Sequence, residues 1–282
     1  MGIVILDEDN IDMYTEYVTA DVAENIGRTF HRGLLVTDEG TPVAGMVWVV
    51  RNVMQDADNE SNIIWLRIDN RDYADELFAG YKSGISEDSV VKSNFSLPAR
   101  MDSLEKDALA DVGFSVKLME GDIIKARLSE IADLAFIQKI KPKESIRPLK
   151  TITQRWFNAG VRHFMMRGLY GLCEDLPYLS RTYFENDVSC YSEDDDQING
   201  LLLFHQNPSG GLVVVVMAAI GSDYGKIIPQ MIRHAVTNAL ELYPPETEVL
   251  IDRHNYASLA LSEKLFPRGF GTPVYIGSRI EA

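Results

Sequence analysis

The stretch that decides the fold runs from residue 211 to residue 242 and reads GLVVVVMAAIGSDYGKIIPQMIRHAVTNALEL. Residues 212–219 form an unbroken apolar run with four consecutive valines, which is typical of a short strand buried on both faces. Gly221 and Gly225 lie in the segment that follows. Apolar residues then recur at three- and four-residue steps, so the pattern predicts an amphipathic helix. Pro229 must lie in the first turn of that helix.

The loop between this strand and helix matters for function because it ends at a helix N-terminus. The first backbone N–H groups of a helix have no acceptor within the helix, and the helix dipole places partial positive charge at the same end. Both features favour binding of a phosphate group. Residues 221–228 are therefore the candidate anion-binding segment.

Composition limits the class of protein. The 282 residues suffice for one large domain or two ordinary ones, and 46% hydrophobic and 24% charged residues are usual in globular proteins. The net charge of −15, without clustered Lys and Arg, predicts no nucleic-acid partner. No apolar run approaches the roughly 18 residues of a membrane span, and no signal peptide is recognisable. Cys173 and Cys190 match no disulfide framework or metal spacing, so we expect a cytoplasmic protein without a metal or a membrane partner.

Two landmarks recur along the chain and suggest an internal duplication. VAGMVWVV has Gly45 where INGLLLFH has Gly200, which is an offset of 155 residues (45 to 200). Val-Gly-Phe at 112–114 and Arg-Gly-Phe at 268–270 are offset by 156 (112 to 268). Two separate landmarks with nearly the same offset predict two copies of one α/β unit. We place them at 1–128 and 129–282, with 141–147 as the most linker-like segment.

Each predicted copy has the order strand, two short helices, three antiparallel strands, helix, strand, helix, strand. A hairpin through Gly121 would close the first copy, and a helix over 129–140 would open the connection. In the second copy the pattern predicts a helix from Pro148 that ends at Gly160, a strand over 162–166 and a helix over 174–185.

This order resembles the GNAT superfamily of acyl-CoA-dependent N-acyltransferases, in tandem over nearly the whole chain. The resemblance implies two mixed, largely antiparallel sheets flanked by helices. The family's phosphate loop reads Gln or Arg, two variable residues, Gly, one variable residue, then Gly or Ala. Here Ser222 replaces the first residue, Gly225 matches, and Ile227 replaces the last small residue with a side chain that would lie where the backbone approaches the ligand. The acetyl-CoA-binding residues that the resemblance implies are Met217, Ala219, Gly221, Ser222, Tyr224, Gly225, Lys226, Ile227 and Asn255.

The corresponding segment of the first copy, residues 69–73, has no glycine and two carboxylates, so we expect no CoA there. The family's later landmark matches at Asn255, but Ser262 stands where the family has the tyrosine that resembles a proton donor. Tyr256 is the nearby phenol that could replace that acid. His254, after the predicted strand 248–252, is the first choice for the base, and His205 is the second. A lone histidine at a strand end is more often an ordinary solvated loop residue, and that alternative stands for both.

The resemblance implies a protein that uses acetyl-CoA to acetylate a small amine, with the second copy carrying the site and the first completing a pseudo-dimer within one chain, which is compatible with a monomer. The acidic turn 193–196 could attract a cationic substrate or could be only a solvated turn. A non-catalytic GNAT-fold binding or scaffold protein is the main alternative. Acyl or aminoacyl transfer from another donor is a third.

Overall fold

The computed structural model describes residues 1–52, 58–99, 103–141, 145–167, 176–195, 197–221, 223–252, 266 and 271–281. The chain divides into two compact units. The first unit consists of Met1–Glu120 together with Thr272–Ala282, and the second consists of Gly121–Gly271. These units differ from the two continuous domains that the sequence predicted, because the last segment of the chain belongs to the first unit.

The first unit is built on a mostly antiparallel sheet. In spatial order its strands are β1 (Gly2–Ile5), β2 (His31–Asp38), β3 (Thr41–Asn52), β4 (Asn59–Ile68), β5 (Val90–Pro98) and β12 (Gly271–Ile280). β4 and β5 are parallel, whereas the other neighbours are antiparallel. The final strand of the chain thus pairs with β5, from Val274 opposite Pro98 to Ile280 opposite Lys92.

Helices cover both faces of this sheet. On one face lie α3 (Ala74–Glu87) and α4 (Leu104–Asp111), and α3 buries Leu77, Phe78 and Tyr81 against the strands. On the other face lie a 3₁₀ turn (Ile11–Tyr14), α1 (Thr15–Val18) and α2 (Ala20–Ala23). A second 3₁₀ turn, Arg71–Tyr73, leads into α3.

The second unit has the same kind of sheet. In spatial order its strands are β6 (Lys117–Arg127), β11 (Glu248–Asp252), β10 (Leu212–Ala219), β9 (Gln197–Gln206), β8 (Cys190–Asp194) and β7 (Ile146–Pro148). β10 and β11 are parallel, and the other neighbours are antiparallel. The buried strand 212–219 of the sequence analysis is β10, with the predicted bounds.

Helices also flank this second sheet. α8 (Tyr224–Leu242) packs on one face with Ile228, Met231 and Ala235 buried, as the amphipathic spacing predicted. The predicted place of Pro229 in the first turn is wrong, because α8 begins at Tyr224 and Pro229 therefore lies in its second turn. α7 (Gln154–Met166) packs on the other face. The remaining elements are α5 (Leu128–Ala132), α6 (Ala135–Lys139) and 3₁₀ turns at Leu149–Thr151 and Arg181–Tyr183. The predicted fold class, two α/β units with largely antiparallel sheets flanked by helices, is confirmed.

The predicted helix end at Gly160 and the predicted strand over 162–166 are wrong, because α7 continues through both to Met166. Gly160 is buried and lies against Ile198 of β9, where a Cβ would come within 2.5 Å of the Ile198 Cδ1 atom. The glycine therefore permits close packing of helix on sheet and does not end the helix.

Three further predictions are also wrong. The predicted hairpin through Gly121 is one continuous strand, β6, because Ile123–Arg127 pairs along the whole of β11 and this pairing outweighs the turn preference of glycine. The predicted helix over 129–140 is two short helices, α5 and α6. The helix predicted over 174–185 is not present in the described residues 176–185, which form turns that include the 3₁₀ turn Arg181–Tyr183.

Candidate functional site

The centre of the second unit is a strand that separates from its parallel neighbour. β10 pairs with β11 from Leu212 opposite Val249 to Val214 opposite Ile251. Its register with β9 shifts between Val214 and Val216, so Val215 is an extra residue of a β-bulge. Within the described residues, the part of β10 after Val214 has no partner on β11. Among the described residues, this edge of β10 therefore has no strand partner beyond the bulge; we call it the free edge.

Two backbone N–H groups point towards that free edge. The Ile220 N–H donates to the carbonyl oxygen of Asn199 on β9 at 2.9 Å. Because successive residues of a strand direct their backbone groups to opposite sides, the N–H groups of Met217 and Ala219 face away from β9. The backbone N–H groups of these two predicted acetyl-CoA-binding residues thus lie on the free edge of β10.

The loop after β10 is open to a ligand at both of its glycines. Gly221 has φ = +97°, a conformation that favours glycine, and beyond its two chain neighbours no heavy atom of the described residues lies within 4 Å of the place where its Cβ would be. The same open space surrounds a Cβ at Gly225, in the first turn of α8. The N–H groups of Tyr224 and Gly225 have no acceptor within the helix at this position.

Side-chain charge at this loop is nearly balanced. Asp223 is the N-cap residue of α8, and its carboxylate makes no capping hydrogen bond among the described residues. Instead it accepts from the Lys226 ammonium group at 3.2 Å, and these side chains are 64% and 80% exposed. An anion at this corner would therefore be attracted chiefly by backbone N–H groups and the helix dipole.

Ile227 does not lie where the sequence analysis expected an obstruction. It is buried, and its Cγ2 atom lies close to the Cα of Gly200, where a Cβ would come within 2.9 Å of it. The side chain thus points into the core and leaves the outside of the loop free. The apolar interior between β10, β11 and α8 is closely filled, with a cavity of about 20 Å³ lined by residues that include Val214, Met217 and Phe266.

A polar pocket of about 300 Å³ adjoins this loop. Its walls come from the last turn of α7, the turn between β8 and β9, the beginning of β9 and the segment from Ile220 to Ile227. The lining residues are His163, Arg167, Asp194, Asp195, Gln197, Ile198, Asn199, Ile220, Gly221, Asp223 and Ile227.

Sequence reasoning missed His163 and Arg167 because it assigned residues 162–166 to a strand. Because this segment is helical, the spacing of four residues places His163 and Arg167 on the same side of the C-terminal end of α7. The basic character of residues 162–167 was the available signal, since cationic side chains are favoured near a helix C-terminus.

Several predicted site residues lie outside the described residues: His254, Asn255, Tyr256, Ser222 and the side chain of Tyr224. His205 is described and lies away from the loop. It is opposite Val213, near the beginning of β10, and its ring stacks on Tyr183 with centroids 4.0 Å apart. Because Ala219 is six residues further along β10, about 20 Å at 3.3 Å per residue, His205 is not beside the free edge.

The structure was compared with known proteins. It is similar to a tandem GNAT protein from the clavulanic acid biosynthesis pathway, solved without acetyl-CoA, with a TM-score of 0.63 over 99% of this chain and 98% of that chain, at 10% identity. The chain has a tandem GNAT-like fold. A probable N-acyltransferase from Enterococcus faecalis V583 gives a TM-score of 0.52 at 7% identity, over 99% of this chain and 72% of that one.

A glucosamine N-acetyltransferase region of a fungal multi-domain β-N-acetylglucosaminidase is also similar, with a TM-score of 0.55 and 11% identity. This chain matches it over 99% of its own length and 38% of the fungal chain. No protein-family model matches the sequence, and the search of curated proteins found no match. At these identities the likeness concerns the fold alone.

In the first GNAT-like unit, β4 has the same kind of β-bulge as β10, but the turn that follows the strand is different. β4 pairs with β5 up to Ile63 opposite Phe95, and its register with β3 shifts at Ile64. At the following turn, Asn70 Oδ1 accepts from the Asp72 N–H at 3.1 Å. Internal contacts therefore already engage an N–H group that a phosphate would need.

Two more contacts fix this turn in the first unit. Arg71 forms an ion pair with Asp111. The Tyr73 hydroxyl donates to Asp38 Oδ2 at 2.8 Å, and this hydrogen bond raises the pKa of Tyr73. Since its backbone and side chains are satisfied internally, the first unit offers less to an anion than the loop of the second unit does.

Among the described helices, none is long and apolar enough to cross a membrane.

Proposed function

We propose that the second unit binds acetyl-CoA and transfers its acetyl group to a small amine. One observation carries the proposal: in the described part of the chain, the edge of β10 without a strand partner leads directly into an open, glycine-bearing helix N-terminus. A thioester carbonyl and a pyrophosphate need such donors in sequence along one extended ligand. The proteins with similar folds include N-acetyltransferases, which agrees with this function.

In the proposed complex, the N–H groups of Tyr224 and Gly225 would bind the pyrophosphate. The N–H groups of Met217 and Ala219 would polarise the thioester carbonyl and stabilise the negative charge that develops on its oxygen. The open space at Gly221 and Gly225 fits this arrangement, because the phosphates can approach the backbone closely there.

The reaction requires two proton movements. A base takes a proton from the acceptor ammonium, and the amine nitrogen then forms an amide bond to the acetyl carbon while the carbon–sulfur bond breaks. The departing thiolate receives a proton and leaves as CoA thiol. His254 remains our proposed base from the sequence and Tyr256 the proposed acid, while His163 is the imidazole that lines the polar pocket.

The test is acetyl-CoA binding to the Gly225→Val variant, measured by titration calorimetry. The two added methyl groups would occupy the space that the pyrophosphate needs, so we expect at least a tenfold rise in Kd, about 1.4 kcal/mol. Ala79→Val, on the exposed face of α3 in the first unit, is the matched control because it introduces the same β-branched residue into a helix. Unchanged binding to Gly225→Val would place the pyrophosphate elsewhere.

A non-catalytic binding protein is the second candidate, and one observation favours it. The apolar interior beside the free edge of β10 is filled almost completely, which leaves little room for the ligand to enter between the strands. A non-catalytic protein should bind acetyl-CoA but should release no CoA thiol when amines are supplied. A thiol-release assay with the intact chain separates the two functions.

A further inference from the structure

The polar pocket of the second unit has the size and position of an acceptor site. Its volume of about 300 Å³ lies at the lower end of the range for small-molecule pockets. Its inner wall includes Asn199 and Ile220, whose backbones are hydrogen-bonded to each other at 2.9 Å. Ala219, with its N–H on the free edge of β10, is the next residue. The pocket therefore ends one residue from the proposed thioester position.

Charges of both signs line this pocket without neutralising each other. Arg167 is exposed at the end of α7, and Asp194 and Asp195 are exposed on the turn between β8 and β9. No ion pair of these three side chains is present within the described part of the chain. The pocket thus presents one guanidinium group and a pair of carboxylates to whatever enters it.

Asn199 adds an unsatisfied polar atom at the inner wall. Its side-chain oxygen is inaccessible to solvent and has no hydrogen-bond partner among the described residues. A buried acceptor without a donor is unfavourable, so a rotation of the Asn199 amide that brings this oxygen to the pocket surface and to a ligand N–H group would be stabilising. The inner wall therefore favours a ligand that presents N–H donors towards β9.

We propose that the acceptor is a free amino acid, with its carboxylate bound by Arg167 and its α-ammonium group held between Asn199 and the carboxylates of Asp194 and Asp195. Bidentate pairing with a carboxylate is the geometry that a guanidinium group favours. A zwitterion satisfies all of these groups together, whereas a simple amine would leave Arg167 without a partner.

This inference rests on the proposed function, since the α-amine is the group that would be acetylated. The base of the proposed function, His254, takes one proton from the α-ammonium group, and His163 lines the same pocket as a second imidazole. The nitrogen then forms the amide bond to the acetyl carbon, the carbon–sulfur bond breaks, and CoA thiol leaves with a proton. The products are an N-acetyl amino acid and CoA.

The test compares common L-amino acids with their α-carboxamides by titration calorimetry on the intact chain, with and without CoA. We expect at least one amino acid to bind about tenfold or more tightly than its carboxamide, because the amide lacks the charge that Arg167 recognises. Arg167→Gln should remove this preference. Arg155→Gln, an exposed position on the same helix outside the pocket, should retain it. Replacing Asp194 and Asp195 with Asn should weaken binding of both ligands.

Several results would overturn the inference. One is that no amino acid binds while acetyl-CoA does, which leaves the proposed function intact. Another is that Arg167→Gln raises the Kd of acetyl-CoA and leaves amino-acid binding unchanged, which would assign Arg167 to the CoA phosphates. Amino-acid binding with the expected preference, but without acetyl-CoA binding, would instead reject the proposed function and retain the pocket.

Discussion

Gly160 fixes how closely α7 approaches β9, and its replacement tests that packing quantitatively. A Cβ at this position would lie 2.5 Å from Ile198 Cδ1 and 3.2 Å from Ile198 Cβ, well inside normal contact of about 3.5–4 Å. Overpacking of this kind costs about 1–3 kcal/mol, while alanine in place of a helical glycine recovers about 1 kcal/mol. We therefore expect Gly160→Ala to lower the free energy of unfolding by about 0–2 kcal/mol, well short of the gain that a helical Gly→Ala change gives elsewhere.

Ile198→Val supplies the decisive second step, because it deletes the Cδ1 atom that the new methyl group meets. Alone it should cost about 0.5–1.5 kcal/mol. The double variant should be more stable than the sum of the single changes by about 1 kcal/mol, as measured in a double-mutant cycle by urea denaturation. Gly225→Ala, where the added methyl group meets no described residue within 4 Å, is the control and should not destabilise the protein.

Additive costs in this cycle would refute the reasoning, since they would mean that residues 160 and 198 are not in contact. A Gly160→Ala variant that gains the full helical advantage of alanine would do the same. Either result would also mean that the wall of the polar pocket differs from the structure, because Ile198 and the end of α7 both line that pocket.

Two other predictions concern charge. Burial and the neighbouring guanidinium groups of Arg28, Arg51 and Arg32 lower the pKa of His31 from 6.5 to about 3. Between these two pH values the folded state binds fewer protons than the unfolded state. The protein therefore loses stability as the pH falls from 6.5 towards 3. His31→Asn should reduce this slope by up to about 1.4 kcal/mol per pH unit in denaturation curves, and an unchanged slope would contradict the assignment. Asp223→Asn should lower the Kd of acetyl-CoA severalfold, as measured by calorimetry. The substitution removes a carboxylate that repels the phosphates and releases Lys226 from its ion pair. Weaker binding would contradict this prediction and show that the carboxylate favours binding.

The sequence predicted the elements whose signals are local. The valine run and the apolar spacing after it are enough to predict β10 and α8. A strand buried on both faces and an amphipathic helix each produce a pattern that is visible within one short segment of sequence. The repeat landmarks around Gly45 and Gly200 were likewise sufficient for the fold class. Gly160 was misread because a glycine that permits close packing and one that ends a helix look the same in a sequence.

The site was predictable only in part, since it depends on residues far apart in the chain. Gly221 and Gly225 lie in one segment and could be found by pattern. The polar pocket combines residues near 163, 194 and 223, and no spacing rule connects them. The position of Ile227 also required the structure, because only the packing against Gly200 shows which way its side chain points.

The placement of β12 has a consequence for biosynthesis. The edge of β5 that β12 covers exposes unpaired backbone groups until residues 272–282 have been translated. A bare edge of this kind readily pairs with strands of other molecules. The amino-terminal half of the chain therefore cannot complete its native hydrogen bonding until β12 has been synthesised, and a nascent chain that stalls before β12 would be an aggregation hazard.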